Sequence, residues 1–577
     1  MVATAPTKAV QAYGFGRAAR KQSGAADAPD LAHFRRRYPL TVASLGSLPR
    51  REEWLRRIWE RDERWREATE TRGGEPVVEE VIVRGAPPRA SDAEGEFDLI
   101  FAGDGAALLD AAVMARQYGR RVLVLDEPEA AFARRDWNLS EDELRELESS
   151  GLFTREEIEA AVLNRRRKGL VKFHDAGSRV KAEPLWVEGV LNVCVDGGRL
   201  LALAAEKVRA QGRSAVLPGV RLVRAYVEPD RVTAEVEGPG GARRFFRAEV
   251  LVCAGSAASK AARQLNGARS LTHVWPTVGT VARGFARGDS ADSVDFRLGE
   301  ILVSTEDARD HRQLVWQSLA GAPARDECAT LLFFYDEVGS PADKSLLSLF
   351  ERYFEALPAY KRTGAAWRVE RPVFDHVPAF RPRGRKARPR VSDDRVMLLG
   401  VGSSARGPLA FGGSRTAARG LRSRTHLLSL ALEAGLTDAG SLARVCDDRP
   451  GVAEAAGLAE FMRPTPEGSP STVNETLNAL MKALGELDER VRRELFQGRM
   501  SFVALRRLLA RTARLYPRIF ARVREHFGAR GTLWWAAGIA EAVWSERRAR
   551  AARHGTPAAW DESPGEKFAR HAALYRD

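Results

Sequence analysis

Gly103 and Gly105 stand two apart at the end of an apolar run, Phe97 to Ala102, and an Ala/Leu-rich segment follows them. Strand, tight glycine turn and helix in that order suit a dinucleotide diphosphate. The turn lets backbone come close, and the helix N-terminus offers amide N–H groups and the positive end of its dipole. "RVLVLDE", Arg121 to Glu127, reads as a second buried strand, with Asp126 at its tip, 23 positions after Gly103. An acid at that spacing accepts hydrogen bonds from adenosine ribose hydroxyls. The third glycine of G-x-G-x-x-G falls at position 108, and 108 is Leu. About 300 residues later "LLGVGSSARGPLAFGG", Leu398 to Gly413, places a second glycine-rich loop at the head of a helix. Two such loops, far apart in the chain, describe a flavoprotein in which the loop that holds the isoalloxazine returns late.

Acid–base chemistry has three candidates. "LLFFYDE", Leu331 to Glu337, ends on Asp336 and Glu337. That strand is apolar enough to bury a carboxyl and raise its pKa, as an acid that must stay protonated requires. His376 in "FDHVPAF" is the third. The plainer readings are a strand-end acid at a turn and a structural histidine. Arg135 and Asp136 of "RRDWNLS" either contact the flavin or hold the insertion around them in place.

The elements that would position these groups follow from periodicity. Residues 1 to about 30, rich in Ala, Pro and Gly, read as disordered. Pro49 to Thr71 spaces Trp54, Leu55, Ile58, Trp59 and Trp65 as an amphipathic helix that packs on the body. After the second strand, Ser140 with Glu143 and Thr154 with Glu157 form capping boxes that open two short helices of an insertion. A long helix starts near Gly198, a hairpin turns at Pro229-Asp230, and Val250 to Gly255 returns to a buried strand. Residues 272–380 carry alternating strand-like runs and a helix near 340–357, and the chain from 445 is nearly all helix. The fold class is α/β: a Rossmann-like FAD-binding domain interleaved with an antiparallel β-sheet substrate domain, plus a helical C-terminal region. The segments are an N-terminal extension at 1–94, the FAD-binding domain at 95–271 and again at 391–445, the substrate sheet at 272–390, and the helical region at 446–577.

The 577 residues are 44% hydrophobic, and 91 Lys and Arg against 77 Asp and Glu leave +14. That excess fits either an arginine-rich proteome or an anionic partner. No nucleic-acid motif is present, so a lipid surface is the better partner. Cys194, Cys253, Cys328 and Cys446 lie more than 50 residues apart, which argues against zinc and against a disulfide framework and implies a reducing compartment. No signal peptide and no apolar run of spanning length is evident. The expected location is cytoplasmic, peripheral on the inner face of the cell membrane. Two segments suit that surface or have plainer readings: "RPRGRKARPR", Arg381 to Arg390, which also reads as a solvated loop, and "GTLWWAAGIAEAVW", Gly531 to Trp544, which also reads as a helix docked on the body.

"FDLIFAGDG", "RRDWNLSEDELRELESSGLFTREEIEAAV", "WVEGVLNVCVDGGRLL", "VGTVARGF" and "GPLAFGGSRTAARGL" together resemble the CruA/CruP-type lycopene cyclase family, from about Phe97 to about Phe527. The resemblance implies FAD, an apolar carotenoid-like substrate, and redox-neutral ring closure started by a proton. It implies cofactor contacts at Gly103, Gly105, Asp126, Arg135, Gly400, Gly402, Ser403, Pro408, Gly412 and Gly413. The chain departs from the family at Leu108, at Val401 or Ser403 where the family has Asp, and in "VLVCAG", which has no acid. Alternatives are an FAD-dependent oxidoreductase on another apolar substrate and a degenerate, non-catalytic flavin-fold protein.

Overall fold

The computed structural model describes residues 29–72, 75–76, 78–88, 93–103, 105, 107–127, 136–256, 258–267, 271–380, 389–400, 407–409, 414–446, 457–465, 468–553 and 562–575. Five parallel strands form the heart of one sheet, in the order Ala215–Pro218, Val122–Asp126, Ala93–Gly103, Arg243–Ala254, Val396–Leu399. Their apolar runs are nearly continuous: Leu99–Ala102, Val122–Leu125 and Val250–Cys253 are all buried. That is the pattern of a parallel sheet covered on both faces. Helix Ala107–Gln117 crosses from the first strand to the second, and Gly197–Arg209, N-capped by Asp196, leads into the third. The strand Arg243–Ala254 also extends backward into an antiparallel meander with Val232–Glu237 and Arg221–Val227. The parallel strand order and the helical crossovers make this half a Rossmann-like domain.

The second sheet has eight strands and is mostly antiparallel, built around His273–Phe285 and its long partner Thr363–Ala379. It also takes in Lys168–Lys172 and Leu185–Val187, which come from inside the first-domain segment. One face packs on helix Leu346–Tyr360 and on the N-terminal helix Arg51–Thr69, through Leu55, Ile58 and Trp65. Asp62 of that N-terminal helix accepts hydrogen bonds from the amides of Leu346 and Leu347 and from the Ser345 hydroxyl, so one helix caps another. The opposite face is covered by the C-terminal helices Thr472–Gly485, Glu489–Phe496 and Phe502–Leu515.

Candidate functional site

The site begins with backbone. Gly103 has φ +119°, and a Cβ placed there would sit 1.8 Å from the Ala254 carbonyl oxygen. Gly400 has φ +86°, and its Cβ would sit 2.7 Å from the Gly255 carbonyl oxygen. The Gly255 amide donates to Leu399 O at 3.0 Å. The two glycine turns, 297 positions apart, therefore flank one strand end, and only residues without a side chain allow it. Asp126 pairs in register with Gly103 at the same carboxyl edge and is partly exposed. Gly105 is buried, and its carbonyl accepts from the Leu108 amide, 3.1 Å, in the first helical turn. Leu108 itself turns into the core shared with Leu99, Phe101 and Trp137 rather than toward the edge. The carboxyl ends of an open parallel sheet are where such folds take ligands.

The helices that follow the two turns are bolted together by buried charge. Asp110 in the first turn of Ala107–Gln117 takes a bidentate pair from Arg424 of helix Leu421–Glu433, at 2.6 and 2.9 Å. Glu143, fully buried, closes the capping box with Ser140 and also meets Arg415 at 3.1 Å and Arg419 at 2.6 Å. Burial works against its charged form, but the two guanidinium groups hold the Glu143 carboxyl below its usual range. The "DWNLS" stretch is used residue by residue. Asp136 pairs with Arg371 at 2.9 Å, Trp137 is buried, and Asn138 accepts from the buried Arg166 at 2.7 Å. Burial pushes the Asp136 carboxyl up, with Arg371 pulling the other way. Asp136 thus holds the insertion to the second sheet. Pro408 is buried in the short piece Gly407–Leu409. Arg135, Gly402, Ser403, Gly412 and Gly413 lie outside the described residues, as does the basic run from Arg381 to Arg388.

The register of the second sheet sorts the acid–base candidates. Val274 pairs with Asp336 and Pro276 with His376, while His273 pairs with Glu337. Successive strand residues point to opposite faces, so Asp336 and His376 share the face toward the N-terminal helices, and Glu337 takes the other. Asp336 is held by the Ser340 hydroxyl and by Lys344 at 3.3 Å. His376 stacks on Trp65 with ring centroids 4.9 Å apart, and its Nε2–H donates to Lys344 O at 2.8 Å. Burial lowers its pKa to about 4. His376 is occupied in packing the N-terminal helix against the sheet, and Asp336 in holding the turn from Glu337 to Lys344.

Glu337 faces a buried polar cluster that the sequence left unnoticed. His273 Nε2 lies 3.3 Å from Glu460 Oε1 and 3.9 Å from Glu337. Tyr335 stacks on the imidazole, centroids 5.2 Å apart and planes within 8°, and its hydroxyl donates to Glu460 at 3.2 Å. Arg463 reaches Glu337 at 3.2 Å and Glu460 at 3.5 Å. His273, Tyr335 and Glu460 are all buried, within the apolar cluster that holds Trp275, Phe333, Leu409, Leu458 and Phe461. Glu460 sits on the 3₁₀ turn Leu458–Met462, and the preceding residue, Ala459, is so close to Gly407 that a Cβ there would come within 2.4 Å. Gly400 at the parallel-sheet edge and Gly407 beside this cluster are seven positions apart in the chain, a reach of at most about 25 Å. One histidine at a strand start and one glutamate in a turn 187 positions later carry no spacing signal.

No protein-family model matches the chain, and no curated protein does. Among solved structures, a geranylgeranyl bacteriochlorophyll reductase-like protein from Thermoplasma acidophilum is similar over 75% of this chain and 99% of its own, with 11% identity and a TM-score of 0.48. Halogenase PltM is similar over 83% and 95%, with 14% identity and a TM-score of 0.48. p-Nitrophenol 4-monooxygenase PnpA from Pseudomonas putida DLL-E4 covers 72% and 97%, with 18% identity and a TM-score of 0.42. The fold described above stands on strand order and register.

Proposed function

We propose that the chain is a flavoprotein that binds FAD along the carboxyl edge of its parallel sheet and closes a ring at the end of a linear carotenoid without net redox change. The observation that carries the cofactor reading is the convergence of Gly103 and Gly400 on Ala254 and Gly255. The residues present fit the adenosine diphosphate half of the cofactor. The Gly103–Gly105 turn and the head of helix Ala107–Gln117 suit the diphosphate, and Asp126 suits the ribose. Once bound, reduced flavin supplies an electron-rich ring that favours nearby positive charge.

Ring closure adds a proton to a terminal double bond, forms one carbon–carbon bond, and releases a proton from a neighbouring carbon. A site for it needs one group that gives a proton and takes one back, inside an apolar wall. His273 backed by Glu460 fits that need. The carboxylate steadies an imidazolium, Tyr335 and Arg463 fix the carboxylate, and Trp275, Phe333 and Leu409 supply the apolar surroundings. The test is purification with excess FAD, followed by incubation of the reduced protein with lycopene. A bound flavin spectrum and a ringed isomer formed without consumption of reductant support the proposal. Colourless folded protein overturns it.

A further inference from the structure

We propose that Glu337 is the relay through which the buried His273 exchanges its proton with bulk water. The imidazole is engaged at both nitrogens. On one side the Thr272 hydroxyl donates to Ala379 O at 3.5 Å, and so it accepts from the His273 Nδ1–H at 2.9 Å. On the other side Nε2 faces two carboxylates, Glu460 at 3.3 Å and Glu337 at 3.9 Å. A proton that leaves or reloads the ring therefore moves on the Nε2 side. His273 and Glu460 keep only 2% and 3% of their side chains exposed, whereas Glu337 keeps 32%. A proton passed to Glu460 stays inside the protein. One passed to Glu337 reaches water.

The backbone on either side of this contact is fixed. His273 pairs in register with Glu337, the Val338 amide donates to Thr272 O at 3.0 Å, and the Ser340 amide donates to Glu337 O at 3.2 Å. Arg463 reaches Glu337 at 3.2 Å and Glu460 at 3.5 Å, so one guanidinium lets the two carboxylates lie side by side. Closing the 3.9 Å gap to a hydrogen bond takes a small turn of the Glu337 side-chain torsions or one bridging water. In the transfer the Nε2–H bond of the imidazolium breaks and an O–H bond forms on Glu337, leaving neutral imidazole and a carboxylic acid. The acid then gives that proton to water and becomes a carboxylate again. The reverse sequence reloads the ring. Ring closure consumes no net proton, so the relay keeps His273 in equilibrium with solvent between turnovers, and for that purpose it rests on the ring-closure reading.

The test is solvent exchange of the His273 ring N–H in the full chain, read by NMR magnetisation transfer from water and assigned by its loss in His273→Asn. Glu337→Gln keeps the size of the side chain and removes its acid chemistry, and it slows exchange about tenfold or more. Glu337→Asp retains a carboxyl on a shorter stem and restores part of the rate. Thr272→Val, on the Nδ1 side, leaves the rate at the wild-type level. An unchanged rate in Glu337→Gln overturns the proposal. So does equal slowing by Gln and Asp, which would make Glu337 a packing residue, and so does slowing by Thr272→Val. A ring N–H undetected in the wild type and in Glu337→Gln alike also overturns it. Should Glu337→Gln fail to fold, Glu337→Asp decides alone: slower exchange than the wild type supports the relay, and an equal rate overturns it. Neither lycopene nor flavin enters this measurement. A protein that closes no ring while His273 still exchanges through Glu337 counts against the ring-closure reading and leaves the relay standing.

Discussion

The parallel-sheet edge and the His273 cluster are built by opposite means. At the edge, missing side chains do the work: Gly103 and Gly400 let three backbone turns crowd together. In the cluster, side chains from three separate segments, at 273, 335–337 and 460–463, meet by long-range packing. A backbone site depends on local chain geometry and tolerates almost no substitution. A side-chain site separates by substitution into proton transfer and support, because each group can be changed without moving the backbone.

The largest expected effect tests the first half of that contrast. Gly103→Val places a branched side chain at positive φ against the Ala254 carbonyl and destabilises the fold by at least about 4 kcal/mol. Urea denaturation measures it, and a variant of unchanged stability would show that the edge is not close-packed. Next comes the buried charge behind the edge. Glu143→Ala leaves Arg415 buried without its carboxylate and costs about 3–5 kcal/mol, again read by denaturation. For the cluster, His273→Asn lowers ring closure about 100-fold or more while flavin content stays at the wild-type level. Loss of both together would make His273 structural.

The smallest effect concerns the face that Asp336 and His376 share. His376 is neutral in the fold with its pKa lowered to about 4, below its unfolded value. Its contribution is therefore present above the unfolded pKa near 6.5 and is lost as pH falls from there toward 4, by about 2–3 kcal/mol. Asp62, 3.7 Å away, has its carboxyl raised by burial to about 6, and so gains stability over part of the same descent. His376→Gln should shrink the loss of stability between pH 7 and pH 4 relative to the wild type. Unfolding curves at the two pH values check it, and an unchanged difference would place the acid sensitivity elsewhere.

The glycine turn at 103, the strand ending on Asp126, and the capping boxes at Ser140 and Thr154 were legible in the sequence, because each is a short-range device of fixed spacing. The N-terminal amphipathic helix was legible too, since its apolar stripe repeats with the helical period. The separation of Asp336 from Glu337 was not, although they are neighbours in the chain. It follows from the strand pleat and from which helices cover each face. Nor did Leu108 reveal where its side chain would go.

By itself the sequence determined where chain conformation is locally compelled: glycines at positive φ, caps and apolar runs. The tertiary structure alone decided which charges meet. Glu143 finds Arg415, Asp110 finds Arg424 and His273 finds Glu460 across separations of 187 residues or more. Coulombic and hydrogen-bonded pairing acts through space over a few ångströms, and no periodicity along the chain encodes which distant residues folding brings within that range.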